Sequence, residues 1–152
     1  MKLKFKEPEH FHLIAKDYII KKDKELRKEG KYYIDKQLAL KCIKFTSYLR
    51  HTDGILLDVN FQLIEWQIHA IVDIFGTKYI DGEYQDLRRY QRALFFMPKK
   101  NGKTELGAVF HLIMLFIIDS TKVKNQFSVA SDSEQASILN DAIITMLNSN
   151  HL

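Results

Sequence analysis

The chain holds one cysteine in 152 residues, and this alone excludes an internal disulfide. Cys42 lies among Leu38, Leu40 and Ile43, a setting for a small buried thiol rather than a nucleophile. Such cysteine usage suits a reducing compartment. The six histidines (His10, His12, His51, His69, His111 and His151) are scattered. None has a second Cys or His at metal-ligand spacing, and His10-x-His12 alone is not a site. The opening Met1-Lys2-Leu3-Lys4-Phe5-Lys6 runs into charge, so it lacks the apolar centre of a signal peptide. The longest apolar run, Leu106 to Ile118, is interrupted by His111. It is too short to span a bilayer and suits a buried helix. Internal repeats and low-complexity tracts are also lacking.

What is present is an ordinary globular composition, 46% hydrophobic, enough to bury one sizeable core. The basic excess, 23 Lys and Arg against 19 Asp and Glu, is small but unevenly placed. Residues 1–44 hold 13 Lys and Arg against 7 Asp and Glu, and the remainder is slightly acidic. Much of the excess sits in Lys21-Lys22-Asp23-Lys24 and Arg27-Lys28. A solvated helix face explains it more simply than a dedicated DNA contact.

Periodicity predicts helices over 10–29, closed by Gly30, and over 33–50, closed by Thr52-Asp53-Gly54. Together they form an expected helical hairpin, either a small N-terminal subdomain or a cover over the main sheet. Residues 55–62 are of mixed period and read as loop or short strand. A third helix is expected from Ile64 to Phe75, ended by Gly76, with a turn at Asp81-Gly82. The basic knot Arg88-Arg89-Tyr90-Gln91-Arg92, read as surface charge, then precedes an apolar strand, Ala93–Met97.

That strand leads to Pro98-Lys99-Lys100-Asn101-Gly102-Lys103-Thr104 and then to a helix over 103–118, apolar nearly all round. The order strand, basic loop, helix is that of a phosphate loop. Backbone N–H groups and the helix N-terminus present partial positive charge to an anion. Lys103 would reach the outer phosphates of a nucleotide, and the Thr104 hydroxyl would coordinate Mg²⁺. Met97 stands where the usual pattern has a glycine. Gln126–Ala130 reads as a second strand, and Ser131 or Asp132 can cap a helix running to Leu147. The expected fold class is therefore α/β: a partial P-loop NTPase with a parallel sheet and flanking helices, preceded by the helical hairpin. The expected division is an N-terminal helical segment over 1–54 and the first part of an ATPase domain over 55–152.

With its loop in this context the chain resembles the large terminase subunit of tailed bacteriophages, the motor-nuclease that packages DNA into proheads. The residues Pro98 to Thr104 look like that family's Pro-Arg-Lys-Asn-Gly-Lys-Ser loop. Glu65-Trp66-Gln67 before Ile74-Phe75-Gly76 is similar to its Trp-Gln element, and Phe45 to Gly54 to the helix and His-x-x-Gly turn ahead of it. Val129-Ala130-Ser131 and Glu134-Gln135-Ala136 match its following strand and Gln-Ala helix. The resemblance, spanning most of 40–150, implies an ASCE-type ATPase that binds ATP and Mg²⁺. It implies that Lys103 contacts the β- and γ-phosphates, that Thr104 holds Mg²⁺, and that Asn101 and Gly102 shape a loop shared with Pro98 and Lys100. Gln67 would meet the adenine edge. Lys99 takes the position of an arginine that stabilises the transferring phosphate; it keeps the charge but not the planar fork, so Lys99 or Arg92 would act there.

The implied partners are double-stranded DNA, the terminase small subunit, the portal protein and further copies of the chain in a ring, with no membrane, in the host cytoplasm. The acids that hold Mg²⁺ on a later strand and align water are not seen after residue 104, and neither is a nuclease half. A fragment or truncated product with weak nucleotide binding and little hydrolysis is expected. Two other functions remain open: another P-loop or helicase-like ATPase, and a non-catalytic DNA-binding or assembly module built on the basic N-terminal helices.

Overall fold

A computed structural model describes residues 8–98, 101–118 and 125–149. The chain divides into two compact units, each built from two stretches. Met1–Lys44 joins Gln62–Phe95 in the first, and Phe45–Phe61 joins Phe96–Leu152 in the second.

The first unit is organised around helix α1, Pro8–Glu29. Its apolar positions Phe11, Ala15, Ile19 and Leu26 recur at helical spacing and are buried on one face. Gly30, at φ +75°, ends the helix in the left-handed conformation. The next residues depart from the expected second helix. Tyr32–Ile34 forms strand β1, paired antiparallel with β2, Thr77–Tyr79, in the register Tyr32↔Tyr79, Tyr33↔Lys78 and Ile34↔Thr77. Aromatic and β-branched residues favour this pleated, half-buried setting. Helix α2, Lys36–Thr46, starts only after Asp35, whose Oδ1 accepts the Leu38 N–H at 3.0 Å. The expected hairpin of two helices is thus interrupted by a strand, and α1 packs on β1 and on α3, Glu65–Ile71. One π-helical turn, Val72–Gly76, follows α3. A Cβ on Gly76 would lie 2.9 Å from the Ala39 Cβ, so only glycine lets α2 come this close. Cys42 is buried, and burial pushes its thiol up to about 12.

A buried carboxylate fastens this unit. Asp23 accepts the Ile34 N–H at 2.8 Å and the Arg27 Nε–H at 3.0 Å, with Lys36 at 3.7 Å. It joins α1 to β1 and to the start of α2.

In the second unit, helix α4, Lys103–Phe116, packs against α5, Ser133–Ser149. Leu106, Val109, Leu112 and Ile113 of α4 are buried, as are Ala142 and Met146 of α5. Asp132 caps α5, its Oδ1 accepting the Gln135 N–H at 2.8 Å. The segment 45–61 folds as a tight loop closed by the Phe61 N–H to Leu49 carbonyl bond (2.8 Å) and the His51 N–H to Val59 carbonyl bond (2.9 Å).

The expected parallel sheet does not form. The chain is mostly helical, and among the described residues its sheet is the single antiparallel pair β1–β2. The apolar segments 93–97 and 126–130, read as sheet strands, join no ladder. Leu94 and Phe96 are fully exposed and Phe95 turns toward Trp66 at 6.4 Å between ring centroids, while Phe127 and Val129 also face solvent. An apolar run specifies a strand only when another strand satisfies its backbone groups, and these two segments do not supply each other. The α/β P-loop NTPase class is accordingly replaced by a helical architecture with a minimal sheet.

Stability should respond to pH through Asp23. Burial raises its pKa, but the Ile34 N–H and the Arg27 guanidinium outweigh burial and hold it below its ordinary 3.8. The stabilisation is then fully present above that value and lost as pH falls through the lower, folded one. Asp23→Asn should cost about 1–3 kcal/mol near neutral pH. In urea denaturation series at several pH values, the gap from the native chain should shrink in acid; a pH-independent gap would remove Asp23 from this role.

Candidate functional site

The residues Met97-Pro98 and Asn101–Thr104 form the described part of the candidate loop; Lys99 and Lys100 lie outside the described residues. Gly102 adopts φ +67°, ψ +24°, and α4 begins at the next residue. Among the described residues, and apart from its two chain neighbours, no atom lies within 4 Å of the position a Gly102 Cβ would take, so conformation and not crowding favours the glycine. The Lys103 Nζ donates to the Met97 carbonyl at 3.1 Å. The ammonium therefore reaches back across the loop to its first residue. Lys103, Thr104, Asn101 and Gly102 are exposed.

The first N–H groups of α4 have no acceptor within the helix, and the aligned peptide dipoles make this end partly positive. An exposed ammonium, a hydroxyl and the first N–H groups of a helix in one turn are a donor set of the kind that fits phosphate oxygens. For Mg²⁺ the fit is narrower, one hydroxyl at Thr104. Among the described residues no group of three or more His, Cys, Asp or Glu is placed to hold a metal ion.

Gln67 lies in the first unit, near the start of α3. It is buried, and its Oε1 accepts the Ile64 N–H at 3.1 Å, closing the helix N-terminus. Arg92 is exposed. Its neighbours in the basic knot are absorbed by packing: Arg89 lies over the Tyr32 ring at 3.9 Å, and half-buried Arg88 has its pKa lowered by burial.

Glu105, in the first turn of α4, carries no motif that singles it out in the sequence. Its side chain is clasped by residues 51 and 52. Oε2 meets the His51 Nδ1 at 2.8 Å, and Oε1 accepts the Thr52 N–H at 2.7 Å and the Thr52 hydroxyl at 3.1 Å. Burial raises the Glu105 pKa, but the His51 and Thr52 bonds prevail and hold it below its ordinary value. An ionised carboxylate only accepts, so the His51 Nδ1 carries the hydrogen. The imidazole is buried and stacks on Phe61, with ring centroids 4.5 Å apart. No local pattern announces this clasp, because its partners are more than fifty residues apart in sequence.

A second polar cluster stands in the first unit. The Tyr18 hydroxyl is 2.9 and 3.0 Å from the two Asp73 oxygens, and its ring stacks on His69 at 3.8 Å. Burial raises the pKa of Asp73.

No helix among the described residues is long and apolar enough to cross a membrane. Comparison with known proteins found no matching family model, no matching curated protein and no matching solved structure.

The left-handed turn at Gly102 can be tested directly. Gly102→Ala should lower stability by about 1 kcal/mol, and Gly102→Asn by less, since asparagine tolerates this region better. Equal effects of the two substitutions in chemical denaturation would show that the turn conformation is not the constraint.

Proposed function

We propose that this chain binds the phosphates of ATP at the 97–104 loop and serves in a DNA-packaging motor of the tailed-bacteriophage terminase large-subunit type. The observation that carries the reading is the turn from Gly102 into α4, with Lys103 folded back across the loop to Met97. In the bound state the ammonium would exchange the Met97 carbonyl for the outer phosphates, a stronger charge-assisted contact. The Thr104 hydroxyl would supply a ligand to Mg²⁺, which neutralises phosphate charge during transfer. Asn101, Gly102 and Pro98 would shape the loop, Lys100 would add charge beside it, and Lys99 or Arg92 would face the transferring phosphate. Gln67 would offer its Nε2 to the adenine edge. The same reading proposes double-stranded DNA, a small terminase subunit and a portal as partners, assembly with further copies of the chain, and work in the host cytoplasm.

A second reading, a non-catalytic DNA-binding or assembly module, is favoured by one feature of α1. Lys21, Lys24 and Lys28 are all exposed and recur at helical spacing. DNA binding through them would weaken steeply with salt.

Titration calorimetry of the chain with Mg·ATP separates the two. Lys103→Ala should weaken binding at least about tenfold, the scale of one charged hydrogen bond. Unchanged ATP affinity in that variant would remove the phosphate-loop assignment.

A further inference from the structure

The clasp on Glu105 has a consequence for the loop, resting on the phosphate-binding reading above. With Gly102 as the N-cap of α4, Glu105 is the third helical residue. A glutamate at this position ordinarily reaches back to the N-cap N–H and closes the helix end on itself. It would also be drawn there by the partial positive charge of the terminus. A phosphate at the loop would need the same N–H groups and would meet a carboxylate already in place.

In this chain the carboxylate is held elsewhere. Both oxygens are engaged by the 51–52 segment, through three contacts of 2.7 to 3.1 Å. The clasp is itself anchored: His51 stacks on Phe61 and its N–H is bonded to Val59, while the Phe61 N–H is bonded to Leu49. We propose that His51 and Thr52 are positioning residues that hold Glu105 off the N-terminus of α4, keeping the first-turn N–H groups of that helix open to phosphate. They act through Glu105 and touch no ligand themselves. Released from them, Glu105 becomes an intramolecular competitor of the phosphate.

The test is a sign reversal between variants. His51→Phe keeps a ring on Phe61 but removes the Nδ1 donor and so frees Oε2, and Thr52→Val removes the hydroxyl at similar volume, leaving the Thr52 N–H as the remaining donor to Oε1. The double variant should bind Mg·ATP about tenfold more weakly than the native chain, because a carboxylate now occupies the positive terminus. Adding Glu105→Gln to that pair removes the competing charge and should restore affinity to within about threefold of native. A clasp that served only to hold the fold would give the opposite result, with the triple variant as weak as the double or weaker.

Hydrogen exchange without nucleotide supplies an independent reading. The Gly102 amide should exchange more slowly in the double variant, where Glu105 folds back on it, and at the native rate when Glu105→Ala is added to the pair, since a glutamine can still accept that N–H. If the double variant does not fold, His51→Phe with and without Glu105→Gln carries the same comparison, because His51 is the partner that holds Oε2. Should the native chain bind no Mg·ATP, the phosphate-loop reading fails, yet the exchange pattern still decides whether the clasp restrains Glu105. Unchanged affinity and unchanged exchange in the double variant would overturn the proposal.

Discussion

The second unit depends on where one negative charge is placed. Glu105 sits in the first turn of α4, where a carboxylate is drawn toward the helix N-terminus, and the fold instead spends it on His51 and Thr52. The choice joins a loop near residue 50 to a helix that starts at 103, and it leaves the 101–104 turn facing solvent. Net stabilisation from such charge-assisted bonds is on the order of a few kcal/mol. That is comparable to the whole margin by which a small unit stays folded.

A parallel arrangement fastens the first unit. Asp23 is buried in α1, yet it is satisfied by a strand N–H and an arginine, so burial does not leave it a liability. In both units a half- or fully buried carboxylate takes a backbone N–H from a distant segment and a second donor beside it.

Helix positions were the most legible part of the sequence. The stripes Phe11-Ala15-Ile19 and Leu106-Val109-Leu112-Ile113 carry helical period, and Gly30, Asp132 and Gly102 mark ends by local chemistry. The turn at Gly102 and the helix after it were readable for the same reason. Strands were not. Tyr33 and Ile34 fall in the helix expected over 33–50, because so short a segment shows no period of its own, and Tyr32–Ile34 becomes a strand by pairing with Thr77–Tyr79. Residues 93–97 and 126–130 have strand-like composition but no ladder. Pairing is a property of two segments, and a single run cannot disclose it. The clasp was illegible on the same grounds, since His51 and Glu105 become neighbours only through the path of the chain.

The central claim is that the 101–105 turn is where this chain meets phosphate. The most direct measurement is a backbone amide NMR titration with Mg²⁺ and a slowly hydrolysed ATP analogue. The account predicts saturable shifts largest at Asn101, Gly102, Lys103, Thr104 and Glu105. Shifts that are absent there, or confined to the lysines of α1, would contradict it.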